Sequence, residues 1–183
     1  MIYIFKDEAR ETAECYDDKT IKRAPREAAQ ILANVLDYYG VTNENHKPNK
    51  AYPELTKWVA RSRSNWTWFI KLGYALCYEY SFRTGKVHAS QEYITWARNH
   101  PPYNQPEMGR QPFPYSEKAM KEIDPRFFKD QLSSWQFLFV MKNDGLKDKD
   151  YTFRKLPEFY KQRLNELASI EALREAKKSG EKQ

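Results

Sequence analysis

The sequence is short of cysteine and glycine and has no long apolar run. Two cysteines, Cys15 and Cys77, in 183 residues cannot build a disulfide framework or a four-thiolate metal site. No stretch approaches the roughly 18 apolar residues that a membrane span needs. The amino-terminal MIYIFKDEAR lacks the apolar core of a secretory signal. Six scattered glycines form neither GxxxxGKS/T nor GxGxxG, so no phosphate-cradling loop is expected. GxSxG is missing too. The three histidines, His46, His88 and His100, form no HExxH and no ligand pair at helical spacing. These absences set aside a secreted scaffold, a membrane protein, zinc, P-loop and serine-hydrolase chemistry. No metal or cofactor is expected, and the expected setting is the cytoplasm.

What the sequence does have is aromatic and charged. Phe, Trp and Tyr number 28, charged residues make up 31% and mean hydropathy is −0.91. A disordered chain with this much charge would be poor in aromatics, so a folded domain is expected. At 21.9 kDa one domain suffices, and a chain of this size buries roughly 70% of its unfolded surface. The net charge is +6, with a pI near 9.1, which suits an anionic partner. Residues 1–53 carry a net −1, residues 54–100 a net +4 and residues 101–164 a net +3. The 54–100 stretch also holds Trp58, Trp66, Trp68 and Trp96, four of the five tryptophans. Basic residues and flat rings are therefore concentrated together.

The expected fold is mostly α: a single-domain bundle of about six helices, with a short N-terminal strand and a Pro-rich loop. MIYIF (1–5) reads as that strand or as a tethered end. Pro25 opens the first helix, apolar residues follow at helical spacing, and Gly40 stops it. Residues 41–53 read as a loop. The helical pattern from Pro53 to Gly85 is long, and Ser62, Ser64 and Asn65 predict a break, giving helices near 54–62 and 65–84. Ser90 caps another helix, stopped by Pro101 and Pro102. Residues 101–116 hold five of the ten prolines and read as an ordered, aromatic-studded loop. Asp124-Pro125 opens a further helix through Trp135 and Phe139, and Pro157 opens the last. Residues 1–164 form the domain; 165–183 form a helical extension fraying at KKSGEKQ.

Three constellations could carry chemistry. On a continuous helix, Trp58, Asn65, Leu72, Glu79 and Lys86 would share one stripe, placing Glu79 at the margin of the core with Arg83 one turn on. A carboxylate there can activate water or balance a developing positive charge; equally, Glu79–Arg83 can be a structural pair. Arg83, Lys86 and His88 gather at that helix end as an anion site or a solvated terminus. Asp17, Asp18, Lys19, Lys22, Arg23, Arg26 and Glu27 alternate charge before a helix, where the dipole favours Glu27. Trp66, Trp68 and Phe69 read as core, with base stacking as the alternative.

DDKTIKRAPREAAQIL (17–32) and WVARSRSNWTWFIKLGYALCYEYSFRTGKVHAS (58–90) resemble a family of small helical proteins of phages and bacteria. The matching positions are Asp18-Lys19, Lys22, Glu27, Ala29-Gln30 and Leu32, then Trp58, Ser62, Asn65, Trp66, Glu79-Tyr80, Arg83, Gly85-Lys86, His88 and Ser90. Pro112-Phe113-Pro114 and Pro157-Glu158-Phe159 continue it, so the resemblance covers most of residues 1–163. Thr20 stands where the family has a histidine. The resemblance implies a link to DNA glycosylases that act on modified bases of phage DNA as antiviral defence.

The expected function is accordingly DNA base excision. Such an enzyme needs a basic surface for the phosphate backbone, a pocket for a flipped base and a carboxylate near the sugar. Glu79, Glu27 and Asp18 are the candidate carboxylates, with Lys19 as an alternative amine nucleophile forming a Schiff base. Trp58, Ser62, Asn65, Trp68, Arg83, Lys86 and His88 are candidates for holding DNA. The alternatives are a non-catalytic nucleic-acid-binding protein and an enzyme acting on a free nucleotide.

Overall fold

The computed structural model describes residues 1–49 and 51–180, with side-chain surroundings through residue 176. Among the described residues the protein is an all-α domain of nine helices, six of them seven residues or longer, without a strand. In chain order these are α1 (Ala9–Glu14), α2 (Asp18–Ile21), α3 (Ala24–Tyr38), α4 (Pro53–Ala60), α5 (Arg63–Thr84), α6 (Ser90–Asn99), α7 (Glu117–Glu122), α8 (Gln131–Lys142) and α9 (Glu158–Gly180). No helix among the described residues is long and apolar enough to cross a membrane.

The long α5 is the central post. Helices α1, α2, α3, α4 and α6 pack around it, while α8 sits between α7 and α9. Its entry is set by Ser62, whose side-chain oxygen accepts a hydrogen bond from the Asn65 amide, and its exit by Gly85 at φ 69°. The predicted break before residue 65 is present: α4 stops at Ala60. That break takes Trp58 off the α5 stripe, and the glycine cap takes Lys86 off it, so only Asn65, Leu72 and Glu79 share that buried face.

The expected N-terminal strand is not formed. MIYIF is extended and buried, but no second extended segment lies alongside to complete a ladder. Side chains satisfy its backbone instead. The Tyr16 hydroxyl accepts from the Tyr3 amide at 2.7 Å and donates to the Tyr3 carbonyl at 2.9 Å. Gln136 Nε2 donates to the Phe5 carbonyl at 3.1 Å. Held by these side chains rather than by a neighbouring strand, the segment threads the core as a single tethered strip.

The start of α8 also differs from expectation. Asp124-Pro125 opens only a 3₁₀ turn, and α8 begins later, because Asp130 and Ser133 form a reciprocal capping box that fixes the start at Gln131. Helices α1, α2 and α7 span six, four and six residues, too short to show a helical apolar period. The last helix runs unbroken past residue 164 to Gly180; the expected fraying falls on side chains and residues beyond the described ones.

The Pro-rich loop is ordered by the aromatics it covers. Trp58 Nε1 donates to the Pro112 carbonyl at 2.8 Å, and Trp135 Nε1 to the Pro114 carbonyl at 2.7 Å. Phe113 packs between the Trp58 and Trp68 rings at 5.0 and 4.8 Å.

Candidate functional site

Glu79 sits not at the margin of the core but inside it, 1% exposed. Two arginines hold it there. Arg83 Nε donates to Oε1 at 2.7 Å, one helical turn on. Arg154, from the turn before α9, donates to Oε1 at 2.9 Å and to Oε2 at 2.8 Å. Burial alone would raise the Glu79 carboxyl, but the hydrogen bonds and charges of Arg154 and Arg83 outweigh it and hold the group below its ordinary value.

Arg83 is spent on the same junction. Its other nitrogens donate to the Tyr16 carbonyl at 2.6 Å, to Asp18 Oδ1 at 3.0 Å and to the Glu14 carbonyl at 3.2 Å. Asp18 in turn accepts from the Thr152 amide at 3.0 Å and the Thr152 hydroxyl at 2.7 Å. Desolvation pushes Asp18 up, yet Thr152 and Arg83 pull it below its ordinary value. Glu79, Arg83 and Asp18 thus form one ion network that ties α5 to α1, α2 and the 151–154 turn. All the Glu79 oxygens are occupied by arginine, which suits a lock better than a water-activating base.

The other expected DNA contacts are dispersed. Asn65 is buried and bridges two segments, donating to the Trp58 carbonyl at 2.7 Å and accepting from the Gln111 amide at 2.9 Å. Ser62 is the α5 cap. Trp58 and Trp68 are buried, with Trp68 Nε1 donating to the Asp7 carbonyl at 2.7 Å. Lys86 is exposed beyond Gly85. His88 has turned to α2, its Nε2 at 3.3 Å from the Lys22 carbonyl and its Nδ1 accepting from the Ser90 amide at 3.1 Å. Burial lowers its pKa. Arg83, Lys86 and His88 therefore do not converge. Lys19 is exposed on α2, where its amide is capped by Asp17 at 2.9 Å. Thr20 is buried, its amide donating to Asp17 at 3.0 Å.

Glu27 stands in a different setting. It lies in the first turn of α3, where the helix dipole favours an anion. The Met1 ammonium forms an ion pair with Glu27 Oε2, and Glu27 is only 16% exposed. That oxygen has no other hydrogen-bond partner among the described residues. The buried MIYIF strip brings the amine there, because Tyr16 pins Tyr3 from both sides. The Tyr52 phenol faces Glu27, and burial together with the Glu27 charge pushes it up to about 12. Burial, Glu27 and Asp17 likewise push the Tyr3 phenol up to about 12. Lys19, Lys22, Arg23 and Arg26 are exposed around this end of α2 and α3. An amine and a carboxylate meet beside the Tyr52 phenol, with exposed cations on the neighbouring α2 and α3 positions.

Sequence reasoning placed Glu27 among its candidates but missed the Met1 amine, Tyr52 and Arg154. The cue for Met1 is the buried apolar run behind it, which gives a chain end a fixed address. Tyr52 carried no periodicity, being in a loop; its φ of 59° ahead of Pro53 is a tertiary choice.

An open groove of about 1320 Å³ lies further along α3 between α4 and the Pro-rich loop. Asn34, Tyr38, Lys57, Trp58, Arg61 and Pro112 line it; Glu27 does not. Beside it, Gln30 donates to the Lys47 carbonyl at 3.1 Å and Asn34 to the Ala51 carbonyl at 2.9 Å.

Comparison of the chain with protein-family models, with curated proteins and with solved structures finds no match.

Proposed function

We propose that the protein is a base-excising DNA glycosylase whose reactive groups are the Met1 amine and the Glu27 carboxylate. The observation that carries this reading is their direct ion pair at the cationic end of α2 and α3. An amine held against a carboxylate is the pairing that Schiff-base chemistry at a sugar carbon uses. Lys19 is exposed on α2 and has no ion pair among the described residues, whereas the Met1 amine is already held against a carboxylate.

The step balances as follows. Glu27 takes a proton from the ammonium, and the freed nitrogen pair attacks C1′ of the target nucleotide. The N-glycosidic bond breaks, and the base leaves with its electron pair and takes a proton from the newly bonded nitrogen, which regains its lone pair. Opening of the C1′–O4′ bond, with O4′ taking the proton from Glu27, leaves an iminium between Met1 and C1′. Water hydrolyses it to an abasic site and restores the amine. Arg23 and Arg26 neutralise flanking phosphates. Glu79, Arg83 and Asp18 hold the fold that presents the site. Modified phage DNA is the first substrate to test, on the resemblance of residues 17–32 and 58–90.

Borohydride reduction during turnover tests the reading. It should fix a covalent protein–DNA product, and peptide mapping should place the adduct on Met1. An adduct on Lys19 moves the nucleophile. Retarded DNA without any base release replaces the enzyme by a non-catalytic binder.

A further inference from the structure

Among the described residues two non-glycine residues adopt positive φ: Tyr52, which faces Glu27, and Phe153, at 60°. Phe153 is in the turn before α9 and is 73% exposed. Left-handed backbone is sparsely used by residues with a Cβ and persists where the surroundings enforce it. Here they do so on both sides. The preceding residue, Thr152, is bonded through its amide and its hydroxyl to Asp18 at 3.0 and 2.7 Å. The following residue, Arg154, is clamped on the buried Glu79 at 2.8 and 2.9 Å. Arg154 also lies over the Phe82 ring at 4.8 Å, and Phe82 meets Phe153 edge-on at 5.5 Å. A large apolar ring is thus held in solvent on a rigid mount.

We propose that Phe153, backed by Phe82, is a wedge that enters the base stack of DNA beside the nucleotide being extruded. This rests on the DNA reading above and adds how the duplex is opened. Charge around the ring suits a polyanion. Lys147, Lys149 and Lys155 of the same turn are exposed, and none is ion-paired among the described residues. The acids between them are tied to backbone: Asp148 accepts from the Leu156 amide and Asp150 from the Lys147 amide, each at 2.9 Å. The mount is joined to the α2 end of the proposed site, since Thr152 is bonded to Asp18 and Asp18 opens the four-residue α2 that runs on to Lys22. Apolar side chains inserted between base steps unstack and kink a duplex at a cost of stacking, which the added contacts offset. A ring carried on a backbone already held at both neighbours costs less ordering on insertion than one on a free loop.

The test uses the full chain with a 30-base-pair duplex carrying a central 2-aminopurine, whose fluorescence rises on unstacking. Wild type should bind and brighten the probe. Phe153→Ala should bind within about threefold of wild type, because phosphate contacts remain, yet lose most of the brightening; Phe153→Trp should restore it. Excision from single-stranded DNA should be unchanged in Phe153→Ala and excision from duplex reduced at least tenfold. Equal brightening and equal duplex excision by Phe153→Ala, with wild type active, would sink the wedge and leave the glycosylase reading intact. A wild-type chain that ignores DNA overturns both. Dimerisation of wild type that Phe153→Ala abolishes, without a DNA effect, assigns the ring to a second copy of the chain and also overturns the wedge.

Discussion

The amine of Met1 and the carboxylate of Glu27 are ion-paired at the start of α3, although 25 residues lie between them in the chain. Two features hold them together: the extended MIYIF strip, buried throughout beyond Met1, and the Pro25-led start of α3. Acetylating the Met1 amine should therefore leave the fold and DNA binding in place and abolish the borohydride-trapped product. Mass spectrometry of the acetylated protein and a trapping gel check this together. Undiminished trapping would exclude the Met1 amine.

Glu79 and Arg83 are both nearly inaccessible, so removing Glu79 leaves two arginines at a buried junction with Asp18 as the remaining partner of Arg83. Glu79→Ala should cost about 3–5 kcal/mol of stability, read from urea unfolding. The effect on base excision per folded molecule should be small. Normal stability with lost excision would return Glu79 to the chemistry.

The same network sets the acid limb of stability. The folded carboxyls of Glu79 and Asp18 lie below their ordinary values. Their contribution is therefore complete above the unfolded carboxylate range, near pH 4, and is lost as pH falls through it towards the folded values. Tm should fall steeply between about pH 4.5 and 3, and Glu79→Gln should flatten that fall. An identical slope in the variant would show that other carboxylates govern acid unfolding.

Cys15 and Cys77 are free and buried, and burial pushes each thiol up to about 12. Ellman's reagent at pH 8 should react slowly with the native protein and find two thiols per chain after unfolding without reductant. Rapid reaction of one thiol in the native state would contradict its burial.

How far the sequence carried these conclusions differs by element. Helices α3, α4, α5 and α6 were legible because their caps are local: Pro25, the Ser62–Asn65 break, Gly85 and the Pro101-Pro102 stop. The N-terminal strip was not. Its β-prone residues need a neighbour to become a strand, and only the fold shows that Tyr16 and Gln136 satisfy its backbone instead. In the candidate site, Glu27 could be singled out by type and position. Its partner could not, because a chain end carries no pattern and is brought in by packing. The fate of Glu79 turned on Arg154, 75 residues away, which no helical spacing announces.

Arg23 and Arg26 flank the proposed site and are exposed. Each phosphate contact steepens the fall of binding with salt, so Arg26→Ala should reduce the log–log slope by about one. Filter binding across salt concentrations measures it. An unchanged slope would take the backbone path away from α3.

Base release by Glu27→Gln tests the central claim most directly. The substrates are plain, deaminated, oxidised, ultraviolet-irradiated and phage-modified DNA, with free base measured by mass spectrometry and abasic sites by alkali-sensitive breaks. Wild type should release a base from at least one of them. Folded Glu27→Gln, which keeps shape and removes the charge facing Met1, should do so a hundredfold or more slowly, while Glu79→Gln retains activity per folded molecule. Wild-type rates in Glu27→Gln, or no base released from any substrate by wild type, would contradict the account.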